Sequence, residues 1–305
     1  MRAARTRTEV VKVQVRLVSL LLVLTAAALA SGCGAAGLGG KGITMGYLGW
    51  DENVANSNLL KVILEDEFGY ERVDLKLVDV GSAFDGVASG ELDAFTDVWM
   101  PNHEELVAEV ANETELSKEP WYMGQTEFGI AVPYYMGARS IADLNTSGAT
   151  QILGIEPDAL LTQRIGEKVI PEYGLKLALV ESSTPAMLSE LQKAYSQEEP
   201  FVFLAWSPHW MNAEYDFRYL QDPKDAIGNL DQPHQLRSLF RDGLQEDDPD
   251  AYALINAMKL DEDQINTLEV AINEAKDPEK GVREWLENDE NRAAVQPWIE
   301  AARDS

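Results

Sequence analysis

Three tryptophans stand where apolar runs that read as strands give way to loops. Trp50 ends "GITMGYLGW", Trp99 ends "DAFTDVW" and Trp206 ends "FVFLAW". Core packing explains any one of them, and Trp121, Trp210, Trp285 and Trp298 read that way. Three at equivalent junctions are harder to assign to packing, because strand ends facing a core usually take Val, Ile or Leu. Converging ring faces have a chemical use. The face of an indole is electron-rich, so a box of such faces holds a cation that offers no N–H, such as trimethylammonium, with about 0.5–2 kcal/mol from each ring. Polar residues flank the same junctions: Asp51 and Glu52 after the first tryptophan, and His209, one of three histidines, in "SPHW" after the third.

The elements that must position these residues follow an alternating order. A strand over 42–50, a helix over 57–70, a strand over 73–80, a short helix over 83–92 and a strand over 93–99 make a βαβαβ unit. A strand over 126–135 ends at Pro133. The pattern then restarts with a helical turn at 140–144, strands over 151–155, 176–182 and 201–206, and helices over 159–174 and 184–197, the last opened by Pro185. From 235 onward the sequence reads as almost entirely helical. Alternating elements argue for α/β lobes with mostly parallel sheets. Ligands of such sheets bind beyond the carboxyl ends of the strands, where the tryptophans stand. Two such lobes can close like a hinge.

The first 32 residues read as an address segment. Arg2, Arg5, Arg7, Lys12 and Arg16 precede the apolar "LVSLLLVLTAAALA", and small residues lead to Cys33, the only cysteine. This resembles a lipobox, with Ala30 departing from the more usual leucine, and it implies lipidation of Cys33 and attachment to the outside of the cell membrane. Residues 33–42 are glycine-rich and read as a tether. With no cysteine after Cys33, disulfides, thiol catalysis and cysteine zinc sites are excluded. The formal net charge of −27 disfavours nucleic acid and anionic lipid as partners. No nucleophile elbow, phosphate loop or HExxH motif is present, so the residues point away from an enzyme, and no cofactor or metal is expected.

The segments "GYLGWDENVANSN", "DVWMPNH", "GIEP", "VESS" and "LAWSPHWM", in this order and at these spacings, resemble the ABC-transporter substrate-binding proteins for glycine betaine, proline betaine and choline. The resemblance runs from about residue 42 to the C-terminus. It implies an α/β, two-lobed periplasmic-binding-protein fold of type II with a cleft between the lobes. The first lobe is expected over 43–131, rejoined by 230–305, and the second over 132–229. By motif, the box is Trp50, Trp99 and Trp206. Phe128 matches an aromatic that choline binders add from the strand equivalent to "TEFGIAV". The implied ligand is a quaternary ammonium solute, glycine betaine first, with choline, carnitine or proline betaine as the alternative. The implied partner is an ABC permease.

The other end of the ligand separates these candidates. A carboxylate needs donors: backbone N–H groups at the helix start around Asn53 and Val54, or His209. Choline needs an acceptor and favours a negative charge. Glu52, two residues after the first box tryptophan, suits that role. So does Asp158 in "DALL", where the family commonly has glycine-rich text. Each has a structural reading beside it: Asp51 and Glu52 suit a helix N-terminus, Asp158 suits an N-cap for helix 159–174, and His209 suits packing.

Overall fold

The computed structural model describes residues 40–305. The expected signal segment 1–32 and Cys33 therefore lie outside the described residues, with nearly all of the expected tether; Gly42 already pairs with Arg72 in the first strand. The chain runs through β1 (Gly42–Tyr47), α1 (Asp51–Phe68), β2 (Arg72–Leu77), α2 (Val80–Ser89), β3 (Ala94–Met100), α3 (Glu104–Glu109) and β4 (Thr114–Leu116). It continues through β5 (Glu127–Pro133) and β6 (Gln151–Leu153). Next come α4 (Leu160–Arg164), a π turn at Ile165–Val169 and α5 (Ile170–Tyr173). Then follow β7 (Ala178–Val180), α6 (Thr184–Ser196), β8 (Val202–Ser207), α7 (Met211–Glu214) and β9 (Phe217–Tyr219). The last part is β10 (Gln235–Arg241) with α8 (Leu244–Asp247), α9 (Pro249–Ala257), α10 (Glu262–Ala275), α11 (Pro278–Leu286) and α12 (Asp289–Arg303).

Two five-stranded sheets organise these elements, ordered β2-β1-β3-β10-β4 and β7-β6-β8-β5-β9. In each, three parallel strands meet an antiparallel strand: β10 beside β3, and β5 beside β8. Lys41–Ser305 forms one compact unit carrying both sheets. The central strands β3 and β8 are buried nearly end to end, as expected of strands covered on both faces.

Helix α1 shows how the sequence builds the first lobe. It starts at once after Trp50, with Asp51 and Glu52 in its first turn, and stops at Gly69, whose φ of 68° only glycine adopts freely. Asn53, Asn56, Ser57 and Asn58 of its "NVANSN" run are buried, which leaves amides and a hydroxyl in need of partners. They find one another and β3. Asn53 Nδ2 donates to Thr96 Oγ1 at 3.1 Å, and Thr96 Oγ1 donates to Asn56 Oδ1 at 2.7 Å. Asn53 Oδ1 accepts from Leu48 N at 2.7 Å and so fixes the turn that carries Trp50.

Two expectations need correction. β5 belongs to the second sheet, so the chain crosses between lobes before residue 127 rather than at 131/132. The order of elements cannot show which sheet a strand joins. Residues 235–241 form β10 rather than helix, and the 3-10 turn Gly228–Asp231 still packs on β5, so the return crossing follows it. Leu236, Leu239 and Phe240 have helical spacing. A bulge between Arg237 and Leu239 breaks the two-residue alternation that would have marked a strand.

Candidate functional site

A small cavity lies where the two sheets present their strand ends. Trp50, Trp99, Phe128 and Trp206 supply its aromatic walls, with Glu52, Asn102, His103, Ile155, Ala159 and Leu160. Sheet pairing explains part of this convergence. Phe128 on β5 stands directly opposite Trp206 on β8, so the two side chains share one face of the second sheet. Phe128 then meets Trp99 of the first lobe with ring centroids 5.9 Å apart. A cis X-Pro bond follows shortly after Trp99 and after Trp206, at Met100–Pro101 and Ser207–Pro208.

Each of the three tryptophans is held by one carboxylate. Trp50 Nε1 donates to Glu156 Oε2 at 3.0 Å, Trp99 Nε1 to Asp97 Oδ1 at 3.0 Å and Trp206 Nε1 to Glu52 Oε2 at 2.9 Å. Anchoring the N–H edge fixes the ring plane and leaves the π face for the cavity. Two of the three bonds cross between lobes, so they hold the lobes together as well as the rings.

The loop after β8 adds further crossings. Trp210 Nε1 donates to Asp51 Oδ1 at 2.8 Å, and Trp210 N donates to Glu269 Oε2 at 2.6 Å. His209 is fully buried with its ring turned to Asp51, Nε2 lying 3.3 Å from Oδ2. Because Met211 N donates to His209 Nδ1 at 3.1 Å, a neutral imidazole carries its proton on the nitrogen facing Asp51. Burial works to raise the Asp51 carboxyl, but His209 and the Trp210 indole outweigh it and hold it below the usual carboxylate value.

The other sequence candidates fall differently. His209 does not line the cavity, and Trp210 is an interlobe contact rather than simple packing. Neither Asn53 nor Val54 lines it: the Asn53 side chain is engaged as described above, and Val54 N donates to Trp50 O at 2.8 Å. Asp158 neither caps its own helix, whose N-cap is Ala159, nor lines the cavity. It crosses to the other lobe, where Oδ2 accepts from Val80 N at 2.9 Å at the start of α2. Asn102, His103, Asp97 and Glu156 were not anticipated, although "DVWMPNH" and "GIEP" contain all four.

Two buried acids, Glu52 in the cavity wall and Asp97 beneath the Trp99 indole N–H, carry strained electrostatics. Glu52 is fully buried and its carboxyl is pushed well above the usual range, first by burial and then by Asp97 and Glu269, against the hydrogen bond from Trp206. Burial pushes Asp97 up to about 8, against the hydrogen bond from Trp99. His103 is lowered to about 4 by burial and by His234, so its imidazole is neutral at pH 7. Its Nδ1 accepts from Trp99 N at 3.2 Å, while Asn102 Oδ1 and His234 Nε2 lie 2.6 Å apart.

A two-lobed α/β protein with aromatic strand ends closing on a small cavity is the architecture of a solute receptor. The chain belongs to the family of substrate-binding domains of ABC-type glycine betaine transport systems, which its residues 41–288 match. Over 116 residues it is 35% identical to the glycine betaine/carnitine transport binding protein GbuC of Listeria monocytogenes; the stretch is 38% of this chain and 38% of that protein. Its fold is similar to lactococcal OpuAC in a closed conformation complexed with glycine betaine, at 29% identity and a TM-score of 0.74, covering 85% of this chain and 99% of that one. It is similar again to a choline-binding ABC-transporter protein in complex with choline, at 25% identity and a TM-score of 0.73, covering 86% of this chain and 94% of that one.

Proposed function

We propose that the protein captures a quaternary ammonium solute in the box of Trp50, Trp99, Phe128 and Trp206 and hands it to the permease of an ABC importer. It would work outside the cytoplasm, held to the membrane by lipid on Cys33. Among the described residues no helix is long and apolar enough to cross a membrane. The observation that carries the reading is the convergence of four aromatic side chains, two from each lobe, on one cavity. The relatives above are named for, or were captured with, glycine betaine, carnitine or choline, and these share the trimethylammonium group. That shared group is what ring faces recognise, since it carries a positive charge but no N–H to hydrogen-bond.

Each lobe alone offers half a box, so closure and binding favour each other. The ligand stabilises the closed form by the contacts that only that form makes. Calorimetry with tetramethylammonium, choline and glycine betaine tests the reading. Trp99→Ala and Trp206→Ala should each weaken the ligands that bind by about tenfold or more, the loss expected from one desolvated ring face. Unchanged affinity in both variants, with folding intact by circular dichroism, would remove the box from the mechanism.

A further inference from the structure

Four residues meet between the lobes outside the ligand cavity, and none of them lines it. Trp210, from the loop after β8, reaches two helices of the first lobe at once. Its indole N–H donates to Asp51 Oδ1 at the start of α1, and its backbone N–H donates to Glu269 Oε2 on α10. The His209 ring packs against the indole at 5.4 Å between centroids and turns to Asp51 Oδ2. The contact borders a separate open groove, lined by Asp51, Trp210, Val270 and Glu274 and by Leu188 and Ser189 of α6. Its parts therefore hydrate as soon as the lobes separate.

Glu269 is the member of this group that folding leaves incomplete. It is buried, and Oε1 has no partner. The hydrogen bond to Oε2 comes from the second lobe. Asp51 and Glu52 from α1 and Tyr122 from the segment before β5 face it electrostatically, with His209 turned to Asp51. Cations on the helices packed against α10 pair with other acids: Lys61 with Glu65 and Glu279, Lys280 with Glu284, and Arg283 with Glu65 and Asp66. A buried carboxylate with one bare oxygen and a second carboxylate beside it is costly as an anion. Burial first, and Asp51 second, push the Glu269 carboxyl well above the usual range, against the hydrogen bond from the Trp210 amide.

We propose that Trp210, Asp51 and Glu269 form a proton-coupled latch between the lobes, which sets the lifetime of the closed form for every ligand alike and takes up a proton at Glu269 when it shuts. They are positioning residues: they act through closure and touch no ligand atom. The proposal rests on the reading above for its choice of probes. When the lobes separate, Trp210 withdraws both its amide and its cover, and Glu269 returns to a hydrated, ionised carboxylate. When they shut, Glu269 is buried as the neutral acid. Asp51 is held below its usual value, so above about pH 5 it is ionised throughout and adds no slope of its own. The closed form thus binds one proton more than the open form. The Glu269 contribution to closure is complete below the ordinary carboxylate value and is lost as pH rises through the raised one. Glu52 and Asp97 sit at the box, where their protonation answers to the charge of the ligand; the Glu269 share is common to all ligands. It appears in dissociation, because the latch forms after the ligand has entered.

Stopped-flow binding on the intact protein tests the latch, with tetramethylammonium, choline and glycine betaine from about pH 5 to about pH 9. Dissociation of all three should quicken as pH rises, by up to about tenfold per pH unit. Glu269→Gln should remove the same part of that slope for each ligand and stay within about twofold of the parent at the acid end, since an amide replaces a neutral acid. Trp210→Phe, which lacks the indole N–H, should speed dissociation of all three by a similar factor of about three to ten and leave association near the parent rate. A Glu269→Gln variant that melts like the parent and keeps its full slope overturns the proposal. So does a slope that changes for one ligand only, or parent dissociation rates in Trp210→Phe. Binding of none of the three probes takes down the quaternary-ammonium reading and leaves the latch to be read without ligand. Spin labels at the exposed Ser189 of α6 and Asn273 of α10, which both line the groove, should move apart as pH rises. A distance independent of pH overturns the latch by itself.

Discussion

Glu52 and Glu156 begin alike and end differently. Each accepts an indole N–H across the cleft, Glu52 from Trp206 of the second lobe and Glu156 from Trp50 of the first. Glu156 goes on to accept Thr184 N at 2.8 Å and Thr184 Oγ1 at 2.9 Å, at the N-terminus of α6. Both of its oxygens are then occupied, and the helix start offsets its charge. Glu52 has Trp206 on one oxygen, nothing on the other, and Asp97 and Glu269 near enough to oppose its charge. The first acid is a finished clamp. The second is a clamp with one buried carboxylate oxygen left without a partner. Two identical contacts thus serve different ends because of the hydrogen-bond positions that remain.

The largest expected effect comes from removing each indole N–H while keeping an aromatic ring. Trp206→Phe leaves both oxygens of a buried carboxylate unmatched and should weaken choline by about tenfold or more. Trp50→Phe leaves Glu156 its two Thr184 donors and should cost about threefold. Calorimetry that finds the two equal breaks the comparison. Next in size, Glu156→Gln should lower affinity for choline, glycine betaine and tetramethylammonium by a similar factor of about two to five, since it loosens closure without reading the ligand's far end. A changed ratio among the three would assign Glu156 a selective role.

A stability measurement sharpens the contrast from the side of the buried acids. Asp97, moved from an ordinary 3.8 to about 8, holds its proton more tightly folded than unfolded. Its contribution is complete below the unfolded value and is lost as pH rises through the folded one, so between pH 4 and 8 it makes the ligand-free protein less stable as pH rises. Asp97→Asn should flatten the melting temperature over that window, with a shift of roughly 2–4 °C for each kcal/mol recovered. A thermal scan of the variant as steep as that of the parent places the pH dependence elsewhere. The smallest effect belongs to Asp158→Asn, which weakens one interlobe bond to the Val80 amide away from the cavity. Less than about threefold in affinity is expected by calorimetry, within the range of a single partly exposed hydrogen bond.

Much of the site was legible because tryptophan is costly to place at a strand end without a reason. Trp50, Trp99 and Trp206 announced themselves by type and position, and the motif resemblance added Phe128. The polar part was not legible. His209 pairs with Asp51, which is 158 residues away in sequence, and nothing local distinguishes that partner from a ligand carboxylate. Asp158 precedes a helix it does not cap, because the amide it meets belongs to Val80 in the other lobe. Asn53 and Val54 looked like free donors at a helix start, yet buried polar groups must find partners, and theirs are Leu48, Thr96 and Trp50.

By itself the sequence determined the kind of molecule. Alternating apolar periods specify two α/β units, the tryptophans after the apolar runs specify aromatic walls for a cavity, and these features depend on residues close in the chain. Tertiary structure alone decided which carboxylates stay satisfied and which stay hungry. That question turns on pairs more than one hundred residues apart, such as Trp206 with Glu52 and Trp50 with Glu156. It also turns on burial, which gives the same side chain an ordinary charge at the surface and a costly one inside. The charge environment of the cavity is a property of the folded chain.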